Sequence, residues 1–173
     1  LTQAYAIGGH TRLVWNWIRN DSEHQHSVVL TDQRDGAVPE CLSKAVEESH
    51  GQIYFLDRPK VSRIAKAVYL DKLAETAEFV VLHIHPYDTI PLMAFSKRRE
   101  DQRILFLNHA DHVFWIGTEI FDMLINFRDS GSSLSNSRRG VPEEKCITLP
   151  IPMDIPSREY SINQAKSLLG IPQ

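Results

Sequence analysis

Two textures alternate along the chain. Short, nearly solid apolar runs give way to stretches where apolar residues return every three or four positions. The solid runs lie at residues 27–31, 52–56, 79–85, 103–107, 123–127 and 146–151. Runs of that length, bounded by turn-forming residues, predict buried β-strands. Run 79–85 is the strongest, apolar almost throughout, as expected of a strand covered on both faces. Between the runs, Leu13, Val14, Trp17 and Ile18 give a helix over 11–20 its apolar side. Pro39 opens a second helix, which turns Leu42, Ala45 and Val46 inward. A longer helix over 59–76 offers Val61, Ile64, Ala65, Val68 and Leu73 to the core and leaves Lys60, Arg63 and Lys66 in water. Helices are also expected over 89–97 and 132–139, with a turn or short helix over 111–117. Strands alternating with helices imply parallel strands joined by right-handed crossovers. The fold class is therefore α/β, a Rossmann-like doubly wound parallel sheet.

The two ends add to this pattern. An apolar piece, residues 1–7, runs straight into Gly8-Gly9. At the other end, 165–170 reads as the close of a helix with a glycine stop, after which the alternation asks for another strand. The chain is thus expected to be a piece of a longer protein. Residues 1–152 form one domain. Residues 153–173 supply a linker and the first helix of an absent second one, the proline- and charge-rich stretch 152–161 serving as the link.

Composition narrows the classes. The 173 residues suffice for one sizeable core, and the formal net charge of -3 argues against nucleic acid as a partner. No apolar run approaches the roughly 20 residues of a membrane span, and no secretory signal opens the chain. Two cysteines, Cys41 and Cys146, are too few for a disulfide framework, so reduced thiols and a cytoplasmic location are expected.

Candidate chemistry gathers where strands should end. Gly8-Gly9-His10-Thr11-Arg12 lies between the first apolar piece and a helix. Glycines let a backbone approach a ligand, and the free N–H groups of a helix start attract anions such as pyrophosphate. His10 and Arg12 could add charge-assisted hydrogen bonds. The spacing is not that of a dinucleotide fingerprint, so a plain strand-to-helix turn explains it too. His83-Ile84-His85 closes the strongest strand, with both imidazoles on one side of the sheet. His85 is the rim candidate; His83 reads as a core histidine. Asn108-His109-Ala110-Asp111-His112 follows the next strand, and Asp111 could orient a neighbouring histidine for acid/base work. It could equally cap the next turn. Trp15, Trp17, Phe114 and Trp115 read as packing residues, and Arg98, Arg99, Asp101 and Arg103 as a solvated loop. His24 and His26 precede a strand, which puts them on the wrong edge.

Together these motifs resemble the amino-terminal half of a two-domain glycosyltransferase of the GT-B fold, most of all the large bacterial family (group 1, family 4-like), which is usually retaining and uses nucleotide-sugar donors. The resemblance rests on Gly8-Gly9 after the first strand and on Val80-Val81-Leu82-His83-Ile84-His85-Pro86. It rests also on Ile104-Leu105-Phe106-Leu107-Asn108-His109, on Asp122-Met123-Leu124-Ile125-Asn126 followed by Ser135, and on 140–154 with its Gly140-Val141-Pro142 opening. Ile151-Pro152 stands where the family usually has Asn-Gly. The spacing of Glu40 and Glu48 matches the family's paired-glutamate motif only by coincidence, since that motif belongs to the second domain.

The resemblance implies an acceptor-side domain. His109 would be the catalytic candidate, near the transferred sugar. Gly8, Gly9, His10, Arg12, His85, Asp111 and His112 would bind donor or substrate. No metal and no cofactor are implied; the nucleotide-sugar donor is a substrate, and the acceptor a carbohydrate, lipid or protein. The full-length protein could sit peripherally on a membrane, and this piece alone would be inactive without its donor domain. Two other classes compete. One is a metal-dependent hydrolase using His83, His85, Asp88, His109 and His112. The other is a non-catalytic module that binds a sugar or a nucleotide.

Overall fold

The structure is a computed structural model that describes residues 1–34, 36–58, 60–97, 99–152 and 159–172. Helix α1 (Gly9–Asn20) leads to strand β1 (Val28–Leu30), α2 (Glu40–Glu48) and β2 (Ile53–Phe55). Helix α3 (Arg63–Leu73) tightens into a 3-10 turn at Ala74–Thr76 and is followed by β3 (Phe79–Leu82) and α4 (Thr89–Ala94). Then come β4 (Arg103–Leu107), β5 (Met123–Asn126), α5 (Asp129–Arg139), β6 (Cys146–Thr148) and α6 (Ile162–Leu168). All strand pairs are parallel: β1 with β2, and β3-β4-β5-β6 in that order. The alternation of apolar runs and helical spacings thus gives an α/β protein with parallel sheets, compatible with a Rossmann-like fold.

The main chain of Leu1 and Thr2 joins the two sheets at the carboxyl ends of β1 and β3. Leu1 N donates to Val29 O (3.0 Å), and Thr31 N to Leu1 O (3.1 Å). On the other side Thr2 N donates to His83 O (3.3 Å). Toward the amino ends the sheets stand apart around a slot of about 480 Å³, lined by Val29, Tyr54, Phe79, Val81 and Leu82 among others. Strand β3 borders this slot, which explains why Phe79 is exposed although its sequence reads as a fully covered strand. The strand also stops at Leu82, short of the expected end, where the chain turns its polar groups to Thr2.

Side-chain alternation sorts the core into two faces. Ile104, Phe106, Leu82, Ile84 and Leu124 pack with Ala67 and Leu70 of α3 and Ile90 and Ala94 of α4. Leu107 and Ile125 pack on the other face with Leu13 of α1, alongside Val81, Leu105 and Trp17. A further cluster joins Val14 and Ile18 of α1 to Leu30 of β1 and to Leu42, Ala45 and Val46 of α2, as the spacing in α2 predicts.

Several expectations are corrected. Helix α3 buries Ala67 and Leu70 and leaves Ile64, Ala65 and Val68 exposed, against the expected orientation; Leu73 does pack on the core, and Val61 precedes the helix and is exposed. Small Ala67 lets α3 lie close against α4, and that packing fixes the rotation. Pro59, where the helix was to begin, and Arg98 lie outside the described residues, as does 153–158 of the expected linker. Helix α5 begins at Asp129 rather than 132, and β6 ends at Thr148. Trp115 is a packing residue, stacked on Phe106 with ring centroids 4.9 Å apart, but Phe114 is 81% exposed. Cys41 and Cys146 are both free thiols. No helix among the described residues is long and apolar enough to cross a membrane.

Candidate functional site

Three elements meet at the carboxyl ends of β3 and β4. Alternation carries Val81, His83 and His85 to one face of β3, and Leu105, Leu107 and His109 to the same face of β4. Helix α1 covers that face, and its first turn presents His10. Four imidazoles therefore converge. The rings of His10 and His109 have centroids 3.8 Å apart, tilted by 37°. His10 and His85 lie edge to face at 5.5 Å. His83 Nδ1 is 3.1 Å from His109 Nε2, so one of these nitrogens donates and the other accepts. His83 is buried against Trp17, as its reading as a core histidine anticipates.

The backbone around the cluster is held by a second polar group. Asp88 is buried and accepts from Thr2 Oγ1 (2.7 Å) and from Thr31 Oγ1. The same carboxylate caps α4 by accepting from Ile90 N (3.2 Å). Thr2 Oγ1 in turn accepts from the His85 amide (2.9 Å). One acid thus ties Thr2, β1 and α4 to the main chain of His85. Asp88 serves this frame and not a ligand set.

Burial sets the charge state of the site. It pushes His10 down to about 4, helped by neighbouring His85, and His109 down to about 3, helped by His10 and His85. Burial also lowers His83, far below the usual histidine range, and His85. All four rings are neutral at pH 7. Each offers one N–H donor and one acceptor, which suits hydroxyl recognition better than resident positive charge.

Positive potential comes from the helix instead. Gly8 caps α1 with no side-chain hydrogen bond, so the first amides of the helix face the rim. A Cβ built on Gly9 would meet nothing within 4 Å, and one on Gly8 only Tyr5 Cβ at 3.8 Å. Neither glycine is there because the protein is crowded. Arg12, on the same first turns, is exposed.

The other candidates lie apart from the cluster. Asp111 is gripped by Arg128 through two hydrogen bonds of 2.7 and 2.9 Å, which hold its carboxyl below the usual range. Arg139 donates to the carbonyls of Asp111 (2.8 Å) and Val113 (2.7 Å), so this loop is pinned to α5. The His112 side chain is 74% exposed, with Nδ1 3.6 Å from Asp111. His24 and His26 sit together beside Asp21, at the amino-end edge that the sequence assigns them. Tyr87 was missed by sequence reasoning. Its hydroxyl lies 2.7 Å from His85 Nδ1. The available signal was its position two residues beyond His85, in the Pro86-Tyr87 turn that Asp88 N closes onto His85 O (3.0 Å). Among the described residues, no group of three or more His, Cys, Asp or Glu is arranged to hold a metal ion. No family model, no curated protein and no solved structure matches the chain.

Proposed function

We propose that the chain is the acceptor-side half of a glycosyltransferase of GT-B type, working from a nucleotide-sugar donor. The observation that carries this reading is the contact of His10 with His109 at the open start of α1. It sets hydrogen-bonding rings beside a helix terminus suited to an anion. Gly8 and Gly9 leave room for the donor diphosphate to approach the α1 amides. His10 stands next to that position, and a bound diphosphate would raise its affinity for a proton. Negative charge grows on the leaving diphosphate in the transition state, where the α1 amides, His10 and Arg12 stabilise it. His109, one ring further in, hydrogen-bonds the transferred sugar chiefly in the transition state, so it serves turnover more than donor affinity. His85, steadied by Tyr87, completes the wall. No protein nucleophile is assigned. A second domain of the same protein would hold the nucleotide, and the acceptor would enter from this domain.

A panel of nucleotide sugars tests the reading on the full-length protein. One donor should be bound and consumed, and His109→Ala should abolish turnover while donor affinity stays. Failure to bind or consume any donor sinks the proposal. Donor binding without consumption in the parent, with affinity lost in His109→Ala, favours a binding module. Near-stoichiometric zinc, manganese or iron in the purified protein favours a hydrolase.

A further inference from the structure

The slot between the two sheets is bordered by backbone that points into it. Successive peptide groups of a strand turn to opposite edges. In β1, Val28 N donates to Gln52 O (2.8 Å) on the β2 side, so Val29 turns to the slot. In β3 the Glu78 carbonyl goes to β4, through Arg103 N (2.8 Å), so Val81 turns to the slot as well. Among the described residues, Val29 N and both backbone polar groups of Val81 have no hydrogen-bond partner. Bare peptide groups are costly in apolar surroundings and rare within a sheet.

Leu1 and Thr2 already make the first rungs of a ladder across this gap. Leu1 N donates to Val29 O and Leu1 O accepts from Thr31 N, the pattern of a parallel pair. Thr2 N donates to His83 O on the other side. One residue further back, the same alternation reaches Val81 O. Two residues back, it reaches Val29 N. The bare groups are those that the ladder meets next. The side chains of the slot agree. Trp17 and Ile18 of α1 line it from one face, and Leu70 and Leu73 of α3, with Phe95 beyond α4, line it from the other.

We propose that one further parallel strand of the same polypeptide fills the slot and runs directly into Leu1. It spans about four residues, matching its neighbours, and is apolar on both faces because helices cover both. The two sheets then become one of seven strands, with the added strand between β1 and β3. Residues 3–7, which form no strand, are the loop that leaves it. The strand order reverses at the added strand, which sets the histidine cluster in the crevice where such sheets bind ligands. A small apolar molecule would fill the space of about 480 Å³ and leave the peptide groups of Val29 and Val81 bare. A strand from another copy would have to stop against Leu1 N, with no peptide bond to carry the ladder on. The inference goes beyond the sugar-transfer reading and does not rest on it.

Hydrogen exchange in the full-length protein tests this. The Val29 and Val81 amides should exchange as slowly as those of β4. Replacing the four residues ahead of Leu1 with Gly-Ser-Gly-Ser should speed both by about a hundredfold or more, with far smaller changes in β5 and β6. Should that variant fail to fold, the parent decides alone. It is unfolded, refolded in fresh buffer and measured again, and slow exchange should return at both amides. Four results overturn the inference. Fast exchange at these amides in the parent means an open slot. Protection that is lost on refolding means a small molecule. Protection that rises with protein concentration means a second copy. Protection that survives the Gly-Ser replacement means that another segment lies there. Donor turnover enters none of these readouts, so the two proposals fail separately.

Discussion

His83 Nδ1 and His109 Nε2 face each other across the ends of β3 and β4 at 3.1 Å, and the pair allows one proton between them. Protonating both would set two cations in contact inside the protein.

The first prediction follows from that pair. His10 and His109 are lowered by burial to about 4 and about 3 from an ordinary value of 6.5. The unfolded chain therefore takes up protons first as the pH falls. The stability that neutral rings contribute is fully present above about pH 6.5. It declines as the pH falls toward 4 and then 3. Urea melts between pH 8 and 4 should show a flat upper limb and a falling lower one. Replacing His83 and His109 with asparagine should flatten the lower limb. A lower limb equally steep in that variant would locate the acid sensitivity elsewhere.

A second prediction concerns Asp88. It accepts from Thr2 and Thr31 and caps α4. Asp88→Ala removes a helix cap, typically worth about 1 kcal/mol, and leaves two buried hydroxyls without their acceptor. A loss of about 3 kcal/mol is expected in urea unfolding. Asp88→Asn keeps one acceptor oxygen and should recover about half of it. If Asp88 were instead a metal ligand, the purified parent would carry an ion and the alanine variant would not.

These two examples show what was legible in the sequence and what was not. The end of β4 could be read because its apolar run stops abruptly at Asn108, whereas β3 ends at Leu82, three residues before the expected His85. The face shared by His83 and His85 followed from pleat alternation, and that His109 joins it depends on the pairing of β3 with β4. Their meeting with His10 did not, because it depends on how α1 lies across the sheet. The role of Asp88 depended on Thr2 and Thr31, which come from distant parts of the chain. Asp111 looked like an acid/base partner for its neighbours, yet its partner is Arg128, beyond β5. Helix α3 failed for another reason. Its apolar residues lie on two faces, Ala67 and Leu70 on one and Ile64 and Val68 on the other, and periodicity alone cannot choose between them. Packing of a small alanine against α4 decided it.

A third prediction separates positioning from binding at His85. The Tyr87 hydroxyl is 2.7 Å from His85 Nδ1 and the tyrosine ring is exposed. Tyr87→Phe should change stability by no more than about 0.5 kcal/mol. It should lower kcat by roughly fivefold, the equivalent of one hydrogen bond of about 1 kcal/mol, with KM little altered. It should also shift the pH profile of turnover, because His85 loses the partner that fixes its tautomer. A fall in stability with an unchanged pH profile would mark Tyr87 as a structural residue only.

The last prediction turns on Gly9. A methyl group there would meet nothing within 4 Å, and the residue lies inside α1 with no left-handed backbone to preserve. Gly9→Ala should therefore stabilise the protein slightly, by about 0.5 kcal/mol, since alanine loses less conformational entropy in a helix. The same methyl would stand over the first amides of α1, where the proposed diphosphate binds. Thermal melts should show a higher midpoint, while calorimetric titration with a nucleotide sugar shows donor affinity falling by about tenfold, the equivalent of roughly 1.4 kcal/mol. Opposite signs in stability and affinity are the mark of a position kept open for a ligand. If affinity is untouched, the helix start is an ordinary turn, and the anion must be sought elsewhere along the rim.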